Sequence, residues 1–132
     1  MNPLPDQGGS RTVLVVDDEV ALRAITRLSL QREGFKVLEA ATPDEALRLV
    51  AELHSRLDLL LTDVDLKGMG GHELADRLVA EHPGLRVLYC SGHDHGQLVR
   101  RGVLPSDALF LEKPFRVDGL ARKVSEVLGE SD

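Results

Sequence analysis

Four apolar runs of this chain end in residues able to do chemistry. Asp17 and Asp18 follow Thr12 to Val16, Asp63 follows Leu57 to Thr62, Ser91 follows Arg86 to Cys90, and Lys113-Pro114 follows Ala108 to Glu112. Carboxylates gathered in one place repel one another, and the repulsion is relieved by a proton or by a cation. Oxygen ligands without a Cys or His framework favour a hard ion, and a few carboxylates completed by water and a phosphate are the usual way of holding Mg²⁺. A carboxylate can also attack phosphorus and carry an aspartyl phosphate. Lys113 would then neutralise the phosphoryl oxygens and Ser91 would donate a hydrogen bond to them. Taken singly, each group has a plainer role. An Asp pair after a strand caps a helix about twice as often as it binds a metal, Asp63 and Lys113-Pro114 suit turns, and Ser91 suits a cap. Their weight comes from being placed together.

That placement depends on the elements. A fifth apolar run, Lys36 to Ala40, ends in the bland Ala41-Thr42. Between the runs, helical spacing recurs at Leu22, Ile25 and Leu28 and at Ala46, Leu49, Val50 and Leu53. A last amphipathic helix carries Phe115, Leu120, Val124, Val127 and Leu128 and stops near Gly129. Thr42-Pro43-Asp44-Glu45 is a capping box with Pro at the first helical position, and Gly34 ends the helix before it. Gly96, Gly102 and Pro105 leave room for a short fourth helix around Gln97 to Arg101. Apolar strands alternating with helices predict an α/β, flavodoxin-like (βα)5 sandwich with a parallel sheet covered on both faces. In the order 2-1-3-4-5 the four functional strands are contiguous, and ligands bind beyond their carboxyl ends, at the switch between strands 1 and 3.

With 132 residues the chain suits one domain. The expected division is a leader or linker remnant over residues 1–10, the domain over 11–129 and a disordered tail over 130–132. Aromatic residues make up 3%, so aliphatic side chains must fill the core. A net charge of −6 argues against direct binding to nucleic acid or an acidic membrane, which needs clustered Lys and Arg. Cys90 is alone, the N-terminus has no secretory pattern, and no apolar run approaches the roughly 20 residues of a membrane span. A soluble domain of the reducing cytoplasm is the expectation.

From about Arg11 to Leu128 the motifs resemble those of the response regulator receiver family of two-component systems. Val13-Leu14-Val15-Val16-Asp17-Asp18-Glu19 is similar to its first strand and acidic pair, and Asp58-Leu59-Leu60-Leu61-Thr62-Asp63 to its third strand and phosphorylation site. Ser91-Gly92 matches its hydroxyl residue and small neighbour, and Glu112-Lys113-Pro114-Phe115 its lysine-proline motif. The resemblance implies that Asp63 is phosphorylated. It further implies that Asp18, Asp63 and the backbone carbonyl of Asp65 ligate Mg²⁺ directly, with Asp17 acting through water, and that Ser91 and Lys113 bind the phosphoryl group. It makes Lys113-Pro114 a candidate cis peptide and Phe110 the switch aromatic on the face of helix 4, strand 5 and helix 5. The implied donor is a histidine kinase or histidine phosphotransfer protein, and a receiver–receiver dimer is left open. Leu85 to Gly92, Arg100 to Val103 and Leu120 to Val124 look more like receivers of hybrid sensor histidine kinases than those of DNA-binding regulators.

Two departures stand out. Leu66-Lys67-Gly68-Met69-Gly70-Gly71 has Lys where the family commonly has Pro, together with an extra glycine, and should be looser. Asp65 and His93 lie two residues beyond Asp63 and Ser91, where side chains can flank an attacking water, so Asp65 is expected to change the lifetime of the phosphoryl group. His93 and His95 are assigned to a solvated loop and not to a metal pair. Cys90 is expected in the core, His54, His72 and His82 on the surface, and Met69 exposed. The rival from another class is a haloacid-dehalogenase-like phosphatase using Asp63 and Asp65, which lacks the expected Gly-Thr and leaves Asp17-Asp18 without a role. A flavodoxin would need a hydroxyl-rich phosphate loop after strand 1. A receiver-shaped interaction module that is never phosphorylated is the third alternative.

Overall fold

The structure, a computed structural model, describes residues 10–129, so most of the expected leader and the tail lie outside the described residues. Five strands alternate with five helices: β1 Thr12–Val16, α1 Val20–Arg32, β2 Lys36–Ala40, α2 Pro43–Ala51, β3 Leu59–Asp63, α3 Gly71–Glu81, β4 Arg86–Ser91, α4 His95–Arg100, β5 Phe110–Glu112 and α5 Val117–Val127. The sheet is parallel in the order β2-β1-β3-β4-β5, as expected.

The alternation of side chains along each strand sorts the apolar runs into two cores. Val13 and Val15 of β1 join Leu59 and Leu61 of β3 on one face, against Leu30 of α1 and Leu120 and Val124 of α5. Leu14, Val16 and Leu60 point to the other face, against Ala46 and Val50 of α2, Leu74 and Leu78 of α3 and Leu98 beside them. Because both faces are covered, β1 and β3 are buried along their whole length, which holds their carboxyl ends in fixed register. At the α2 start Thr42 Oγ1 accepts from Glu45 N at 3.1 Å, as the expected capping box requires, while Glu45 Oε1 reaches one residue further back and accepts from Ala41 N at 2.8 Å.

Several boundaries differ from expectation. β3 begins at Leu59 rather than Leu57, and Asp58 just before it accepts the Thr12 N–H on its carboxylate at 2.8 Å. β5 is only Phe110–Glu112, as befits an edge strand, with Leu109 40% exposed just before it. α4 starts at His95, two residues early, because Asp94 Oδ1 accepts from Gln97 N at 2.8 Å and caps it. The expected apolar stripe of α1 is not core: Ile25 and Leu28 are 49% and 55% exposed, and the buried residues of α1 are Thr26, Ser29 and Leu30. Met69 is not fully exposed but packs partly against the core, and His72 and His82 are half-buried. None of the helices is long and apolar enough to cross a membrane, among the described residues.

Candidate functional site

The carboxyl ends of β1 and β3 are neighbours, with Val16 paired to Thr62. One carboxylate oxygen each from Asp17, Asp18 and Asp63 lies within 4.8 Å of the others. Asp17 and Asp63 are buried and Asp18 is exposed. This set fits a small hard cation with part of its shell left to water: oxygen donors, surplus negative charge and one open side.

Lys113 enters from the end of β5, after which the Lys113-Pro114 peptide is cis, as expected. Its Nζ lies 3.1 Å from Asp17 Oδ2, 3.3 Å from Glu19 Oε1 and 3.4 Å from Asp63 Oδ2. Burial works against the ammonium, yet the ionisable Cys90, the hydrogen bond to Asp17 and the charges of Asp63 and Asp17 outweigh it and raise the Lys113 pKa. The lysine therefore stays charged. At Asp63 burial dominates and raises the pKa, opposed by Lys113 and assisted by Asp17. One ammonium does not compensate three carboxylates.

Two further contacts hold Asp17. Asp17 Oδ1 accepts from Glu19 N at 2.9 Å, and Arg23 Nη1 donates to the Asp17 carbonyl at 2.7 Å while its Nε reaches Glu39 Oε1 at 3.2 Å. On the β3 side, Asp65 N–H donates to Asp63 Oδ1 at 3.3 Å. α3 closes tightly over this loop, its Gly71 N–H donating to the Val64 carbonyl at 3.0 Å. A Cβ on Gly71 would overlap the Asp63 carbonyl oxygen and lie 3.1 Å from the Asp63 carbonyl carbon.

Ser91 is fully buried at the end of β4, and its Oγ accepts from His93 N at 3.0 Å. The Asp65 side chain turns toward this group, with Oδ2 3.5 Å from Ser91 Oγ and 3.8 Å from His93 Nε2. Phe110, half-buried in β5, is stacked on His95, so His95 does not belong to a solvated loop. Cys90 is a core thiol, as expected, with burial pushing its pKa up to about 12. Four contributors were not anticipated: Glu19, Arg23, Gly71 and His95. Glu19 and Arg23 were signalled by their place within six residues of Asp17, whereas the His95 contact depends on a pairing of α4 with β5 that local spacing does not reveal.

Residues 13–125 match the response regulator receiver domain family. The chain is 39% identical over 129 residues to the sensor kinase CckA of Brucella abortus, covering 96% of this chain and 13% of that protein. It is 26% identical to sporulation initiation phosphotransferase F of Bacillus subtilis, covering 88% of this chain and 92% of the relative. Among solved structures, the receiver domain of the hybrid histidine kinase CckA superposes with a TM-score of 0.74 at 32% identity, covering 89% of this chain and 98% of that one. The chain spans 13%, 31% and 46% of three curated relatives that it matches. The phosphatase alternative is not favoured, since the receiver family match runs through the whole alternation of strands and helices and includes the Asp17-Asp18 pair that a phosphatase would leave without a role. Both motifs and fold therefore lead to one conclusion: this chain belongs to the response regulator receiver domain family of two-component signalling.

Proposed function

We propose that Asp63 is the phosphoacceptor and that its reaction depends on Mg²⁺. The observation that carries this reading is the buried Asp63 carboxylate, grouped with Asp17 and Asp18 and 3.4 Å from Lys113 Nζ. In it, Asp18, Asp63 and the backbone carbonyl of Asp65 ligate the ion, with Asp17 acting through water. When bound, the ion neutralises the surplus acid charge and shields a phosphoryl group approaching Asp63. A carboxylate oxygen of Asp63 bonds to phosphorus as the bond from phosphorus to the donor's imidazole nitrogen breaks. Lys113 offsets the charge on the transferred oxygens, and Ser91 Oγ–H donates to one of them. The domain acts on itself in this chemistry and has no separate substrate to turn over.

The donor is a histidine kinase or histidine phosphotransfer protein in the cytoplasm. Its docking place is the exposed α1 stripe of Val20, Ile25 and Leu28, 68%, 49% and 55% exposed. A groove lined by Ala21, Leu22, Ile25, Lys113, Pro114 and Phe115 runs from that stripe to the acceptor's lysine. Apolar surface this close to a reacting group suits a helical partner that presents its histidine over Asp63. Phe110 is the switch aromatic in this reading.

The test is incubation with acetyl phosphate and Mg²⁺ followed by intact mass. The expected result is one added phosphoryl group on the parent and none on Asp63→Ala. An unmodified parent would instead favour an interaction module of receiver shape that is never phosphorylated.

A further inference from the structure

Arg23 stands beside the acidic set without belonging to it. Its backbone N–H makes the first helical bond of α1, to the Glu19 carbonyl at 2.9 Å, so it is anchored to the turn that carries Asp17 and Asp18. Its Nη1 donates to the Asp17 carbonyl at 2.7 Å, and its side chain is only 16% exposed. Glu39 meets it from β2: pairing sets Glu39 beside Val15, and the alternation of side chains puts both on the side of the sheet that α1 covers. Glu39 there holds two arginines one turn apart, Arg23 Nε at 3.2 Å and Arg27 Nε at 2.6 Å. Two guanidiniums on one carboxylate leave a positive charge over, next to a site that gathers acids. The carbonyl that Arg23 holds belongs to the peptide joining Asp17 to Asp18. A peptide unit is planar, so fixing its oxygen helps set where the Asp18 Cα stands. Nothing among the described residues bonds to the Asp18 side chain itself, which leaves the backbone to place that carboxylate.

We propose that Arg23, clamped by Glu39, is a positioning residue for the cation: by fixing the Asp17-Asp18 peptide it aims the Asp18 carboxylate into the set. This rests on the metal reading given above. Two effects of the residue have opposite signs. Its charge repels a cation, whereas its grip on the peptide spares the ion the cost of ordering Asp18. Positioning is the larger of the two, so losing the arginine weakens cation binding, the reverse of what its charge alone predicts.

The experiment titrates Mg²⁺ alone into labelled protein and follows the amide of Val64, next to Asp63, by NMR. In Arg23→Met, which keeps the apolar stem and loses every donor, the midpoint should rise fivefold or more. Arg23→Gln is the milder variant if the first is unstable. Its amide nitrogen falls where Nε stood and can keep Glu39, but nothing reaches the Asp17 carbonyl, so its midpoint should rise as well. Arg27→Met is the matched control: it loses the same charge and the other half of the Glu39 clamp while leaving the Asp17 bond in place. Its midpoint should stay within twofold of the parent's or fall. A midpoint within twofold of the parent's, or below it, in either Arg23 variant overturns the proposal, as does a rise in Arg27→Met equal to that in Arg23→Met. A parent whose Val64 amide does not respond to Mg²⁺ removes the metal reading beneath it.

Discussion

Replacing Gly71 by Ala should loosen the acceptor loop more than the same change at any other described glycine. The new Cβ would overlap the Asp63 carbonyl oxygen and stand 3.1 Å from both the Asp63 carbonyl carbon and Val64 Cα. The carbon contacts are already inside the optimum of about 3.5 Å. The atoms struck belong to the backbone, so no rotamer change relieves them, and the N-terminus of α3 must back away from β3. Doing so strains the 3.0 Å bond from Gly71 N–H to the Val64 carbonyl. Overpacking of this kind costs about 1–3 kcal/mol, and the better helix propensity of Ala returns at most about 1 kcal/mol. The net loss should be about 1–2 kcal/mol, seen as a fall of about 4–8 °C in the melting midpoint. Gly119 is the matched control: it lies inside α5, and a Cβ added there would meet nothing within 4 Å, so Gly119→Ala should stabilise by about 0.5–1 kcal/mol. Urea and thermal unfolding of the two variants measure both. If Gly71→Ala unfolds with the parent, or if the two substitutions shift stability in the same direction, the close approach of α3 to Asp63 is wrong.

Asp63→Asn should raise the melting midpoint at neutral pH in metal-free buffer. The folded pKa of Asp63 is raised from 3.8, by burial first and by Asp17 next, so the folded state binds its proton more tightly than the unfolded chain does. The ionised carboxylate therefore costs stability above the folded pKa, and the gain from Asn should fade as pH falls toward 3.8; a gain independent of pH would contradict this. Placing Glu at Ile25 or Leu28 should slow phosphotransfer from a histidine donor tenfold or more, leave acetyl phosphate labelling unchanged, and alter stability by no more than about 0.5 kcal/mol; unimpaired transfer would move the docking face elsewhere. Asp65→Asn removes a carboxylate 3.5 Å from Ser91 Oγ. A charge at this range in a solvated setting is worth about 1 kcal/mol, so the rate of phosphoryl loss should change about fivefold, and matching decay curves would sink the idea.

Much of the architecture was legible because the strands carry the signal twice. The runs around Val13 to Val16 and Leu59 to Leu61 are apolar throughout, as strands covered on both faces must be, and each ends in a group with chemistry. The acidic set was legible for the same reason, since the strand order alone makes the ends of β1 and β3 adjacent. What escaped notice depended on partners distant in sequence. Asp58 falls inside the apolar run that predicts β3, but its carboxylate bonds the Thr12 backbone, 46 residues away. The stripe of Leu22, Ile25 and Leu28 has the spacing of a core face, because helical periodicity marks an apolar face without saying whether the protein or a partner covers it. The polar Thr26 and Ser29 are buried instead. His95 has the sequence setting of one half of a solvated pair, and nothing within the local sequence announces the Phe110 ring that receives it.

The central claim is that the phosphoryl group resides on Asp63. Reductive trapping tests it most directly: after reaction with acetyl phosphate and Mg²⁺, borohydride reduces an aspartyl phosphate to homoserine, which peptide mass spectrometry locates by residue. Homoserine at position 63, absent when Mg²⁺ is withheld or when Asp63 is replaced by Asn, is the predicted result. Homoserine at Asp17, Asp18 or Asp65, or a phosphorylated protein with no reducible acyl phosphate, would contradict the account.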